Sequence, residues 1–214
     1  GREEIWRGPQ GPLSGRNPSA GAVSIINAKP TYQLGAGATV TVGKFGKREI
    51  DGYINLPIIV DKLSIRLSAV RDKANGYLKN LLNIAPTRNN HSTDFLSLRG
   101  QVLFEPTSDL KFLYKYQYGL VDSENALGTE FVASRNTGTD VVFADADVYG
   151  YSRAGLKPYQ YRGDGYNQAY NKVQIHTLRA DWSLASNMKL IYLGGYFKQL
   201  RENSLDSDDR ERDE

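Results

Sequence analysis

Cysteine is absent from the 214 residues, which excludes disulfide frameworks, thiolate metal sites and cysteine nucleophiles. Histidine occurs only at positions 91 and 176, which leaves little for a histidine-rich metal centre. Long hydrophobic runs are missing too. The longest, Leu56 to Val60, already contains Pro57, whereas a spanning helix needs about 20 apolar residues. Helical membrane insertion is therefore excluded. The 27 basic residues against 24 acidic ones give a net charge of +3 with no basic block, so the electrostatic footprint of a nucleic-acid binder is lacking. One asymmetry stands out: residues 205–214 (LDSDDRERDE) carry six acids and two arginines, and read as a surface loop cut short. The opening Gly1-Arg2-Glu3-Glu4 has no basic, apolar, small-residue leader pattern. Together the two ends suggest a piece of a longer chain.

What is abundant is tyrosine (14) and glycine (21), set in segments that alternate apolar and polar residues with period two. Between Asp94 and Glu105, Leu96, Leu98, Val102 and Phe104 share one face with Gly100, while Ser97, Arg99, Gln101 and Glu105 take the other. Leu110, Phe112, Tyr114, Tyr116 and Tyr118 then alternate with Lys111, Lys115 and Gln117 across the turn Pro106–Asp109. The pattern predicts a long hairpin. Comparable alternation runs from Tyr32 to Val42, Ile50 to Leu56, Leu63 to Ala69 and Leu178 to Leu184, and less cleanly from Lys189 to Leu200. Seven strands are expected from residue 31 onward, most of them longer than the usual five or six residues.

The connections have a sidedness. Tight turns are expected near Val60-Asp61, Pro106–Asp109 and Ser186-Asn187. Apart from a short turn at Phe45–Lys47, the opposite connections are long: 73–93, 122–172 and 201–214. Tight turns at one end and long loops at the other is the habit of outer-membrane barrels, whereas a β-sandwich has loops at both ends. Alternation alone fits either. In a sandwich the apolar face is internal, and in a membrane barrel it meets lipid while the polar face encloses the lumen. Strand length, tyrosine content and loop asymmetry favour the barrel. A passive porin-like barrel and a soluble β-sandwich binding module stay as alternatives.

Residues 4–30 hold the most specific pattern, with Ile5, Arg7-Gly8-Pro9-Gln10-Gly11, Gly15-Arg16-Asn17, Gly21-Ala22-Val23, Ile25-Ile26 and Lys29-Pro30 in order. Its glycines and prolines turn the chain sharply several times before a short apolar strand at 22–27. This run resembles the end of the plug domain of TonB-dependent outer-membrane receptors. Ser14 and Pro12 depart from the family's frequent aromatic and threonine. Arg71-Asp72…Gly76-Tyr77 and Leu98–Pro106 resemble the barrel part of the same family. The resemblance implies an all-β chain: a partial transmembrane antiparallel barrel of about seven long strands (31–214) preceded by the C-terminal part of a plug (1–30). It implies a receptor, not an enzyme, that takes up a scarce nutrient, foremost a ferric siderophore, across the outer membrane of a Gram-negative bacterium. Its partners would be outer-membrane lipid, the iron chelate and TonB, the last through a segment outside this chain, with no cofactor and no nucleic acid.

Candidate site residues follow from both arguments. The plug motif comprises Arg7, Gly8, Pro9, Gly11, Gly15, Arg16 and Gly21, and its arginines need carboxylate or water partners, for which Asp51, Asp72, Glu105 and Asp181 on the wall are candidates. In the loop at 122–172, Tyr149, Tyr151, Arg153, Tyr159, Tyr161 and Arg162 combine large aromatic contact area with anion-pairing guanidinium groups. They could contact substrate or anchor the rim at the headgroups. Gly35-Ala36-Gly37 and Gly43-Lys44 lack the remaining residues of nucleotide-binding loops. Asp140, Asp145 and Asp147 read as a solvated loop, and His176 as an interfacial residue on the lipid-facing side.

Overall fold

A computed structural model of the chain describes residues 2–7, 21–81, 91–124, 133–136, 141–144, 157–161 and 168–204. The elements are β1 (Arg2–Arg7), β2 (Gly21–Ile26), β3 (Gly35–Val42), β4 (Arg48–Ile59), β5 (Leu63–Ala74), β6 (Lys79–Asn80), β7 (Thr93–Thr107), β8 (Leu110–Ser123), β9 (Ala133–Asn136), β10 (Val141–Ala144), β11 (Gln160–Tyr161), β12 (Gln168–Ala185) and β13 (Met188–Ser204). Seven of them, in the order β3-β4-β5-β7-β8-β12-β13, form one antiparallel meander, so each strand pairs with its sequence neighbour among the long strands. β1 and β2 make a separate two-stranded ribbon, and β6 and β11 pair in parallel across two of the long connections.

The expected seven long strands are present, and β12 and β13 reach 18 and 17 residues. The sheet does not close: β3 and β13 are its two edges. The end with tight turns has a further regularity. Each of its three turns is preceded or followed by a register shift, at Pro57/Ile59, Phe104/Thr107 and Ser183/Ala185. A bulge adds local twist and bends the strand, so the three together turn the ends of the hairpins. Pro106, expected in a turn, falls inside the second shift, where its missing N–H leaves no ladder bond unmade.

The registers define the two faces. Leu67, Gly100 and Tyr116 lie in one row, as do Ala69, Leu98 and Tyr118; Leu178 faces Tyr114 and Gly194. This face is apolar and bare: Val40, Ile50, Ile54, Leu67, Leu98, Phe104, Leu178, Trp182 and Tyr196 are all exposed. Its stripe ends on each strand at a charged or amide side chain on the long-loop side, at Arg48, Arg71, Asp94, Asp122, Gln174 and Lys198. On β12 the stripe from Leu184 to His176 spans about 26 Å at 3.3 Å per residue, or roughly 20 Å along the normal for a strand tilted by about 40°. That approaches the height of a hydrocarbon layer. The opposite face carries Asp51, Asn55, Arg66, Ser68, Arg99, Gln101, Lys115, Gln117, Arg179 and Asp181.

Only Leu103 and Leu113 are buried hydrophobic residues among the described ones. A two-layer sandwich would press its apolar stripes together in a dry interior. Among the described residues no second layer covers the apolar stripe.

Candidate functional site

The site is built where the segment preceding β3 meets the polar face. Alternation had suggested that β3 begins at Tyr32, but the strand starts at Gly35. The reason is competition for the backbone, because side chains of the wall take the hydrogen-bonding groups of residues 28–33. Asn55 on β4 accepts from the Thr31 N–H (2.9 Å) and donates to the carbonyls of Thr31 (2.7 Å) and Gln33 (2.5 Å). Ser64 on β5 donates to the same Thr31 carbonyl at 2.5 Å. Gln101 on β7 donates to the Ala28 carbonyl at 2.9 Å. These three residues, on three neighbouring strands, are 1%, 0% and 1% exposed, and are the largest fully buried side chains described. A buried polar group without a partner costs about 1–3 kcal/mol, so each is stable there only while the segment stays seated. Gln101 keeps its Oε1 buried and unbonded.

Around this seat the wall neutralises its own charges. Arg179 donates through Nε and Nη2 to Asp181, at 2.7 and 2.9 Å, and Lys189 joins the same carboxylate at 3.1 Å. Glu105 pairs with Lys111. Lys47 lies 3.0 Å from both Glu49 and Asp72, which face each other across β4 and β5. Arg99 donates to Gln117 at 3.0 Å, and Arg66 sits 3.8 Å over the Tyr53 ring. Of the four carboxylates expected to meet the plug arginines, Asp72, Glu105 and Asp181 thus have cationic partners on the wall itself. Tyr32, in the seated segment, has its hydroxyl buried beside Glu105. Burial and the neighbouring carboxylate hold its phenol above the ordinary range.

In the ribbon upstream, Arg7 pairs in register with Gly21. Gly21 has φ +137°, and a Cβ there would collide with the Trp6 carbonyl oxygen, so only glycine fits. Gly8, Pro9, Gly11, Gly15 and Arg16 lie outside the described residues. On the long-loop side, Tyr149, Tyr151, Arg153 and Arg162 also lie outside them, and for Tyr161 only its strand pairing with Asn80 is described. Tyr159 is present and exposed, in a group the alternation did not single out. Tyr77 stacks on His91 (4.6 Å, 6°), meets Tyr159 edge-on (6.1 Å) and lies 6.0 Å from Phe45. Phe45, His91 and Tyr159 all have positive φ, a strained choice for large side chains. Asn75 and Lys79 donate backbone N–H groups to the carbonyls of Phe45 and Tyr159 and tie the three connections together.

On the apolar face, His176 Nδ1 and the Tyr114 hydroxyl share a hydrogen bond of 2.7 Å, with the Tyr116 and Tyr196 rings alongside. His176 thus shares the apolar face with Leu178, as its parity predicted.

Parity had already placed Asn55, Ser64 and Gln101 on the polar face, yet nothing local distinguishes them from Ser68 or Asp51. Their neutrality suits the seat, since an uncharged donor is sealed under a backbone at modest cost, but Ser68 shares it.

No protein-family model matches the sequence. Among solved structures, the ferric-catecholate import receptor Fiu from E. coli K12, in its closed form, superposes with a TM-score of 0.66 at 14% identity, over 92% of this chain and 26% of that one. The chain thus spans about a quarter of the receptor it matches. With an open antiparallel sheet of seven strands, apolar on one face and polar on the other, this chain has the fold of part of a β-barrel like that of the import receptor it superposes on.

Proposed function

We propose that the chain is the end of the plug (1–30) and the first part of the barrel (31–214) of a TonB-dependent outer-membrane receptor that imports a scarce nutrient, with a ferric siderophore as the leading substrate. The observation that carries this reading is the seat. A chain segment crosses the polar face of a sheet whose other face is bare and apolar, with Asn55, Ser64 and Gln101 sealed beneath it. A passive porin needs no such interior tenant, and a sandwich has no bare apolar face of this extent. The resemblance of residues 4–30 to a plug terminus and the likeness to a ferric-catecholate import receptor support the same reading.

In this scheme the hydrophobic stripe contacts lipid and the polar face encloses the plug. TonB acts on the plug through a segment outside this chain. The long connections face outward, where Tyr149, Tyr151, Arg153, Tyr159, Tyr161 and Arg162 are proposed to contact an anionic aromatic chelate, with Tyr77 and His91 beside Tyr159. The test is growth of iron-starved cells on a ferric catecholate, with the full-length receptor as the sole route, in strains with and without TonB. Growth only with TonB is the expected result; growth independent of TonB would point to the passive barrel.

A further inference from the structure

We propose that residues 28–33 are the fixed anchor at which any withdrawal of the plug stops, and that Asn55, Ser64 and Gln101 are the positioning residues that hold it. The proposal rests on the transporter reading above. In that reading force arrives from the N-terminal side, so the seated segment is the last stretch before the barrel wall. The seat has the construction of an anchor. Five hydrogen bonds from three strands converge on the backbone of residues 28–33, with the Thr31 carbonyl held twice and its N–H once. Because the bonds go to the backbone, they survive changes in the segment's own side chains. All three wall residues are sealed from solvent by the segment itself, so unseating must break its five hydrogen bonds together and hand both sides to water.

The contrast with the upstream ribbon supports this division. Among the described residues β1 and β2 pair only with each other, whereas the seat is tied by side chains to three strands of the sheet. A chain pulled from its N-terminus yields first where the fewest buried bonds resist.

The test uses the full-length receptor in a background with no other cysteine, and this segment supplies none. Thr31→Cys and Arg66→Cys, the latter in the same row as Asn55, joined by a short reducible bis-methanethiosulfonate, lock the segment to the wall. Uptake by the locked receptor should equal that of the reduced one, because an anchor does not move in the cycle. Uptake lost on locking and regained with reductant would overturn the proposal. In a second arm, Asn55→Leu with Gln101→Leu removes four of the five hydrogen bonds and should raise entry of a bulky antibiotic at least roughly tenfold, and only in cells with TonB. An unchanged entry rate, or a rise equal with and without TonB, would also overturn it. The second result would mean a loosened fold with no anchoring role. If the unsubstituted receptor shows no TonB-dependent uptake, the transporter reading itself falls, and the anchor with it.

Discussion

Asp72 and Glu49 sit directly opposite each other on adjacent strands, an arrangement that repels unless a cation intervenes. Lys47 is that cation, and its hydrogen bonds to Glu49 and then Asp72 raise its pKa above the ordinary lysine value. A raised lysine pKa means stabilisation that is complete below the unfolded-state value and disappears as pH rises through the folded-state value. The β3–β4 hairpin should therefore hold through neutral pH and loosen only in strong alkali. Lys47→Gln should loosen it at pH 7, read as faster amide exchange at residues 43–50. A second pair to test is Tyr114 and His176. His176→Phe leaves the Tyr114 hydroxyl on the apolar face without its partner, at a cost of about 0.6–2 kcal/mol if that face meets lipid, by analogy with hydrogen bonds in membrane proteins. Adding Tyr114→Phe should recover most of that, measured as urea resistance in detergent micelles through a double-mutant cycle. Full additivity of the two changes would show that the bond contributes nothing.

For a strand, the decisive property is which face meets which medium. Leu178 and Thr177 are adjacent on β12 but project to opposite sides, and Thr177 lies opposite Lys115. Leu178→Arg should cost about 2–4 kcal/mol if its face meets hydrocarbon at mid-depth. Thr177→Glu should cost less than about 0.5 kcal/mol, because it enters a polar lumen beside a cation. Refolding of the full-length receptor into lipid, followed by denaturant titration, separates the two; equal costs would remove the assignment of faces. The turn before β4 provides another check. Gly46 has φ +66°, and a Cβ there would stand 2.7 Å from Asn75 Nδ2, so Gly46→Ala should destabilise the hairpin by about 1 kcal/mol or more. Much of this level was legible beforehand. The period-two stripes located all seven long strands because a side chain on a pleated strand must point to alternate faces. The alternation read for β5 stops at Ala69, but the strand does not. The register stays regular to Ala74, and the residue types change because the strand leaves the apolar band.

As a whole molecule, the open sheet has two long unpaired edges, at β3 and β13, and apolar side chains on both faces of β13, including Leu193 and Phe197. Unpaired edges of this kind template association. Residues 1–214 expressed alone should therefore associate in buffer and should not form a heat-resistant barrel in detergent, as judged by sedimentation and electrophoretic mobility before and after boiling. A discrete, detergent-free monomer would contradict the membrane assignment of the bare face.

From the order of residues alone came strand number, strand side, the short-turn end and the plug-like pattern at 4–30, because all of these depend on neighbours in the chain. The true start of β3, the bulge at Pro106, the aromatic group around Tyr77 and the seat under Thr31 emerged only from the folded arrangement. The seat depends on groups brought together across 22 to 73 positions, as from Gln33 to Asn55 and from Ala28 to Gln101. Local periodicity carries no information about such meetings: a buried amide and an exposed one occupy the same parity, and only the chain laid over Asn55 and Gln101 makes them different.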